Sequence, residues 1–311
     1  PMYSYDDLLL RIAEKENITL FGISAKYIDA LRKLRPNLKY KYKLKKLRTV
    51  CSTGSPLSPE GFLYVYSNIK KNVHLSSISG GTDIVSCFVL GNLYQPVILG
   101  EIQNKGLAMD VDIFDDKGKS LKNHKGELVC KNAFPTIPLK FWKDKNNIKF
   151  KNTYFNKFKN IWYHGDYAEV KNNGGFIIYG RSDTTLNPGG VRLGTAEIYS
   201  EVEKFKEIKE SVVVGQAWDN DVRIILFVIL TSGKELDEKL KTRLKFEIRK
   251  NVSPRHVPAI IISVLDIPKT KNGKTAELAV KNTIENQPIK NKEALLNPKS
   301  LDEFKKLKEL I

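Results

Sequence analysis

Four short segments of this 311-residue chain combine residue types that can hold and polarise an anion. Ser79-Gly80-Gly81-Thr82-Asp83 joins two glycines to a hydroxyl and a carboxylate. Glycine lets a ligand approach the backbone, and a carboxylate beside a hydroxyl suits a hard cation carried by phosphate oxygens. The plain alternative is a turn after a strand. Trp162-Tyr163-His164-Gly165-Asp166 sets a carboxylate after a glycine, where it can accept both hydroxyls of a ribose. Its plain alternative is a surface turn. Residues 180–194 hold four glycines, two arginines and one aspartate in fifteen positions. Such a run excludes a helix and concentrates backbone freedom with phosphate-reading charge. An Arg181–Asp183 surface pair is the alternative, and it leaves the glycines unexplained. Pro268 to Lys274 presents a lysine on a glycine-containing loop. Gly273-Lys274-Thr275 is not a P-loop, because GxxxxGK[ST] needs glycine where Pro268 stands.

The elements that must position these segments fall into three patterns. Tyr5 to Glu16 and Ser24 to Leu34 have helical apolar spacing, with Ser4 as the expected cap of the first. Short strands are expected at Ile18 to Ile23, Leu47 to Ser52 and Val73 to Ser77, and a helix at Ser58 to Ile69. This alternation predicts parallel sheet. From Val97 short strands and turns alternate, and Asn172-Asn173-Gly174 signals a hairpin between Trp162–Val170 and Gly175–Tyr179. After Arg181 comes a compact α+β pattern. Its helices are expected at Thr195 to Phe205 (Thr195 as cap), Leu236 to Lys250, Lys274 to Ile284 and Leu301 to the end. Its strands are expected at Glu210 to Gly215, Arg223 to Leu230 and Ala259 to Val264.

Composition excludes several classes. Hydrophobic residues are 41% and charged residues 28%, which rules out wholesale disorder. The longest apolar run, Ile224 to Leu230, is far shorter than the ~20 residues of a membrane span. No secretory leader opens the chain, so a cytoplasmic protein without a membrane partner is expected. Cys51, Cys87 and Cys130 are scattered, as are the four histidines, and build neither a disulfide framework nor a Cys/His metal site. The net charge is +17. Only ten of the 52 basic residues are Arg, and no aromatic-interleaved basic repeat accompanies them. A nucleic-acid binder is therefore the lesser reading, and attraction of small anionic substrates the better one.

Taken in order and spacing, these segments resemble the adenylate-forming superfamily of acyl-CoA synthetases, luciferases and peptide-synthetase adenylation domains. Ser52 to Leu57, with Gly54, Ser55 and Pro56 at its centre, resembles the family's adenine-side segment. Gly81-Thr82-Asp83 looks like its Thr-Glu motif, Gly126-Glu127-Leu128 like its GEL, and His164-Gly165-Asp166 like its TGD. Gly180 to Arg192 looks like the hinge segment. Ser253 to Pro258 looks like the motif before the last strand, and Pro268 to Lys274 like the lysine loop. Four further stretches, Ser79–Ile84, Leu186–Arg192, Gly194–Tyr199 and Lys290–Leu295, resemble the branch that activates the four-carbon 3-oxo acid acetoacetate. Where acetyl-CoA synthetases resemble the chain, a Trp closes the acyl pocket near Gly80, so glycine there implies room for a longer acid.

The resemblance implies the fold: part of a large N-terminal domain over 1–182 (α/β over 1–96, β-rich over 97–182) and a mobile α+β C-terminal domain over 183–311, hinged at Asp183. It implies the chemistry: ATP and a carboxylate give an acyl-adenylate, and CoA then takes the acyl group. Lys274 would bridge carboxylate and α-phosphate, Thr82 would contact that phosphate, and Asp83 would sit at the Mg²⁺ position, where most of the family has Glu. Asp166 would hold the ribose, with Arg181 beside it. Gly190 would line the pantetheine tunnel, and Arg192 and Arg249 would contact phosphates, Arg249 those of CoA. No TSGTTGxPK-like phosphate loop occurs in these residues. The chain, opening on Pro1, is accordingly expected to be the C-terminal part of a longer enzyme. Other short- or medium-chain acids remain the alternative substrates.

Overall fold

The computed structural model describes all residues except 1–5, 36, 39–40, 290–291, 308–309 and 311. The chain divides into two compact units, Pro1–Ile178 and Tyr179–Ile311. The first begins with α1 (Leu8–Lys15), β1 (Leu20–Ser24), α2 (Ala25–Leu34), β2 (Thr49–Thr53), α3 (Pro59–Tyr64) and β3 (His74–Ser77). The three strands pair in parallel, in the order β1-β2-β3. Ser24 starts α2 by accepting from the Tyr27 N–H at 3.1 Å. Ser58 starts α3 by accepting from Gly61 at 3.3 Å, with Pro59 at the first helical position. Ile28, Leu31, Val50, Phe62 and Leu75 close the core against the sheet. The cap expected at Ser4 lies outside the described residues.

Two antiparallel sheets complete this unit. One is β4 (Ser79–Gly81), β5 (Ser86–Leu90) and β6 (Asn104–Lys105). The other contains β7 (Val111–Phe114), β8 (Gly126–Cys130), β9 (Trp162–Val170) and β10 (Phe176–Arg181), in the order β10-β9-β8-β7, with α4 (Ile148–Tyr154) between β8 and β9. The β9–β10 hairpin turns where its Asn-Asn-Gly signal stands, with Gly174 at φ +87°. Phe88, Phe134, Phe150, Trp162 and Phe176 form one aromatic core. The segment at 79–81 is a strand rather than a turn, and neither its hairpin with β5 nor α4 has a counterpart among the sequence expectations.

The second unit holds α5 (Thr195–Val202), β11 (Ile208–Trp218), β12 (Asp221–Leu230), α6 (Glu238–Asn251), β13 (Ile260–Ser263), α7 (Glu277–Ile284) and α8 (Leu301–Phe304). The long apolar run is the central strand β12, antiparallel to β11 and parallel to β13. Ile224, Leu226 and Val228 face Ile198 of α5 and Leu240, Leu244 and Ile248 of α6. Ile225 and Phe227 face Val280 of α7 and Phe304 of α8. Burial on both faces is why β12 reads as continuous rather than alternating hydrophobicity. Several expected bounds change: α5 ends at Val202, not Phe205, and β11 runs longer, over Ile208–Trp218. Gly194, not Thr195, stands at the N-cap of α5, and its N–H is met by the Glu197 carboxylate at 3.3 Å. α7 starts at Glu277, not Lys274, because Thr275 bridges back to Lys269. The last helix ends at Phe304.

Asp237 caps α6, accepting from Leu240 N–H at 2.7 Å. Asp237→Ala is expected to cost about 1 kcal/mol, seen as a lower urea midpoint at unchanged slope.

Candidate functional site

Parallel strands deliver their carboxyl ends to one edge, and loops that leave that edge are where open α/β sheets bind ligands. Here β2 runs into Gly54-Ser55-Pro56, and β3, one strand over, runs into Ser79–Asp83. Gly54 takes φ +88°, a left-handed turn that glycine adopts without strain. Thus two of the singled-out segments leave adjacent strands on one side.

The third comes to them through an irregular strand. Val129 pairs with Tyr163 and Glu127 with Tyr167, so Leu128 alone faces His164, Gly165 and Asp166. Gly165 takes φ +79° and allows this bulge. The Ser79 hydroxyl donates to Asp166 Oδ2 at 3.2 Å, and His164 Nε2 stands 3.7 Å from the same oxygen. Trp162 Nε1 donates to His164 Nδ1 at 3.4 Å. An indole N–H only donates, so Nδ1 accepts and the ring proton is assigned to Nε2, facing Asp166. Both His164 and Asp166 are buried. Gly81 lies against this imidazole: a Cβ there would come 2.8 Å from His164 Cε1.

Thr82 and Asp83 are exposed. The Tyr154 hydroxyl donates to Asp83 Oδ2, and the Tyr154 ring stacks on Trp162 at 3.6 Å and 15°. Among the described residues no three His, Cys, Asp or Glu side chains cluster as a metal cage. A single exposed carboxylate fits Mg²⁺, which is commonly bound by one or two carboxylates with phosphate oxygens and water making up the rest. Glu127 of the GEL-like motif has a structural partner instead. It is 1% exposed and accepts from Lys157 Nζ at 2.6 Å. Burial works against the Lys157 ammonium, but its hydrogen bonds to Glu127 and Asp116 raise its pKa overall.

In the second unit Arg181 and Asp183 stand 3.9 Å apart, both half exposed. Leu186 and Leu193 bridge, closing a loop whose tip, Pro188–Gly190, is a 3₁₀ turn. Asp221 holds that tip by accepting from the Gly189 N–H at 2.8 Å. Gly189 and Gly190 take φ +59° and +73°. A Cβ on Gly190 would meet open space, so within this unit only its φ asks for glycine. Arg192 is turned onto its own loop, with Nε donating to Thr185 Oγ1 at 3.0 Å and Nη2 to the Ser182 carbonyl at 3.1 Å. Arg249 is exposed in the last turn of α6. Arg255 was not singled out from the sequence, yet its Nη1 lies 3.9 Å from where a Gly189 Cβ would stand.

Lys274 sits on a tight turn. Gly273 donates to the Thr270 carbonyl at 2.7 Å, Thr270 N–H to the Lys274 carbonyl at 2.8 Å, and Gly273 takes φ +79°. Among the described residues the exposed Lys274 ammonium has no ion-pair partner. The C-terminal tail braces the base of this loop. Lys271 N–H donates to Ala294, Leu296 N–H to Lys269, and Lys269 N–H to Asn297 Oδ1 at 2.8 Å. Tyr154, Ser79, Arg255 and this tail are the contributions that sequence reasoning did not assign. Ser79, Arg255 and, in the tail, Ala294 lay inside quoted stretches.

Comparison with known proteins agrees with this fold. Residues 197–274 match the AMP-binding enzyme C-terminal domain family. Over 98% of its length the chain is 55% identical to the acetoacetyl-coenzyme A synthetase of Rhizobium meliloti, and over 100% it is 42% identical to that of Danio rerio. The solved acetoacetyl-CoA synthetase from Streptomyces lividans superposes with a TM-score of 0.87 at 37% identity, covering 97% of this chain and 47% of that one. A benzoate CoA ligase from Burkholderia xenovorans shares the fold, with a TM-score of 0.74 at 21% identity over 89% of this chain and 53% of that one. The chain has the fold of the adenylate-forming enzymes. Among them, the chain's end-to-end likeness is to acetoacetyl-CoA synthetases. It spans about half the length of these relatives, 47% and 46% for the two named first.

The contacts of Gly80 generate a prediction. A Cβ there would meet the Ser86 carbonyl at 2.1 Å and Cys87 Cα at 2.6 Å, both backbone of its own hairpin. The glycine therefore has a packing reason independent of any acid pocket. Gly80→Ala is expected to destabilise the first unit by about 1–3 kcal/mol in a urea melt, and an unchanged midpoint argues against this hairpin geometry.

Proposed function

We propose that the chain carries the ribose, metal and lysine contacts of an AMP-forming acid–CoA ligase that activates acetoacetate. The observation that supports this most is the end-to-end likeness to acetoacetyl-CoA synthetases, together with a lysine held alone on a braced turn. In the first half-reaction a carboxylate oxygen attacks the α-phosphorus of ATP and pyrophosphate leaves. Two anions must meet, so a cation that touches both lowers the barrier more than one that touches either. Lys274 is that cation, presented on a tight turn. Thr82 supplies a hydroxyl to the α-phosphate. Asp166 takes the ribose hydroxyls while Ser79 and His164 hold its other contacts, and Arg181 adds a cation nearby. Gly54 to Pro56 flank the adenine.

Asp83 would hold Mg²⁺, with its geometry steadied by Tyr154. The ion, when bound, screens the phosphate charge and helps pyrophosphate leave.

In the second half-reaction the CoA thiol attacks the acyl carbonyl and AMP leaves. The unit from Asp183 onward turns about that residue between the two steps. Gly190 borders the pantetheine and Arg249 meets CoA phosphate. Arg192 acts in this reading partly through the loop it fastens, because two of its guanidinium nitrogens are already used at Ser182 and Thr185. The basic surface adds long-range attraction for ATP and CoA, both polyanions. A Gly80 required by its own hairpin does not report pocket length, so another short- or medium-chain acid is the second reading.

Lys274→Ala, in the protein that carries this chain, is expected to lower adenylation, read as pyrophosphate exchange, by about 10²–10³-fold or more. It should spare thioester formation from supplied acyl-adenylate, and equal loss in both steps would remove the role assigned to it. CoA-dependent AMP release is expected to favour acetoacetate over acetate, butyrate and 3-hydroxybutyrate. A preference for any of the others replaces the acid named here.

A further inference from the structure

The Gly194–Tyr199 stretch stands apart in the sequence but has no part in the chemistry above. Its polar side chains all turn inward. Glu197 meets His256 Nε2 at 3.2 Å, and His256 Nδ1 meets the Ser253 hydroxyl at 2.8 Å. The Tyr199 hydroxyl donates to Glu277 Oε1 at 2.6 Å and accepts from the Val213 N–H of β11 at 3.0 Å. The hydroxyls of Thr184 and Thr195 also stand close to the Glu277 carboxyl. Gly180 leaves room for this arrangement, since a Cβ there would stand 2.9 Å from Thr195 Oγ1. Three hydroxyls thus surround one carboxyl, one from the turn at 182–184 and two from α5, and Tyr199 links it onward to the backbone of β11. Glu277 is the first residue of α7, three positions after Lys274.

We infer that Glu277 is a positioning residue for Lys274: it ties the lysine loop to the Ser182–Thr184 turn and α5, so that both segments move as one body. This rests on the adenylate-forming reading above. A rigid link of this kind matters because a misplacement of about 1 Å at a reacting group can cost ~10²-fold in rate. The proton inventory favours the neutral form. Thr184 has an acceptor for its own proton in the Arg181 carbonyl at 3.4 Å, which leaves its oxygen to accept from a protonated Glu277. Burial raises the Glu277 carboxyl above the ordinary range, against the Tyr199 and Thr195 hydroxyls, which favour the anion, and the nearby Asp183 charge adds to the rise. Tyr199 stays protonated, held well above its usual value by burial and by Glu277, with Glu203 contributing. The sign follows. A carboxyl raised on folding stabilises below its unfolded pKa, and that stability is lost as pH climbs through the raised value.

Glu277→Gln keeps a neutral side chain of the same shape, and Glu277→Ala removes the link. In the protein that carries this chain, Glu277→Ala is expected to speed amide hydrogen exchange about tenfold or more in peptides covering both 182–184 and 269–277. Glu277→Gln should leave both near wild type. Faster exchange in 269–277 alone, or Gln as disruptive as Ala, overturns the coupling. In pyrophosphate exchange Glu277→Ala should lower kcat about 10²-fold with little change in KM for ATP. Glu277→Gln should retain turnover and flatten the alkaline limb of the wild-type pH profile. Wild-type kcat in Glu277→Ala, or an unchanged alkaline limb in Glu277→Gln, overturns the positioning role. If Glu277→Ala does not fold, Tyr199→Phe serves. It removes one of the three hydroxyls and is expected to loosen both peptides severalfold, and no change there overturns the coupling. A wild type without pyrophosphate exchange defeats the functional reading itself, while the hydrogen-exchange result still decides the link.

Discussion

Parallel pairing of β1, β2 and β3 is the constraint from which the first unit's site follows. Each strand must leave the sheet at the same edge, so chain segments far apart in sequence are brought side by side without any contact having to be selected between them. Gly54–Pro56 and Ser79–Asp83 are neighbours because Ser52 pairs with Ser77. What must then be built is the wall opposite. That wall is the bulge at His164-Gly165-Asp166, where three residues face one and bring a carboxylate to the Ser79 hydroxyl. A regular strand at the same place would bind its partner fully and leave the carboxylate in the alternation of the sheet.

The second unit solves a different problem, that of holding an exposed cation firmly. Its core is a strand buried on both faces, and neither face is near enough in sequence to dictate where residue 274 stands. The loop is fixed locally by a tight turn, at its base by the C-terminal tail, and at its exit by the contacts of Glu277. The three fastenings use different chemistry: backbone pairing, an amide side chain and a carboxyl. Only the last changes with protonation in the range where a carboxyl titrates.

Much of this was legible in the sequence, for identifiable reasons. Ile224 to Leu230 and the Asn172–Gly174 turn are local signals, where pattern and conformation share the same few residues. The β4–β5 hairpin was hidden because Gly80 and Gly81 have no side chains to show alternation, and glycine-rich text reads as a turn. Thr195 looked like a cap because hydroxyls cap helices, yet it is the first helical residue, its hydroxyl stands beside Glu277, and the cap position goes to glycine. Arg192 looked like a free phosphate reader because nothing in its neighbourhood announces that Ser182 and Thr185 take its guanidinium.

The residues hardest to read share one property: their partners lie far along the chain. Tyr154 reaches Asp83 across 71 positions and Tyr199 reaches Glu277 across 78. Neither residue type is unusual where it stands, and no spacing rule links them. A motif records what must be local, such as a glycine where the backbone turns left-handed or a lysine at the tip of a turn. The groups that hold such a motif in place answer only to the fold, so they are found by asking what each buried polar atom is bonded to. A carboxyl turned inward, such as Glu277, needs partners, and those partners are polar side chains of a stretch that the chemistry of the site leaves without a role.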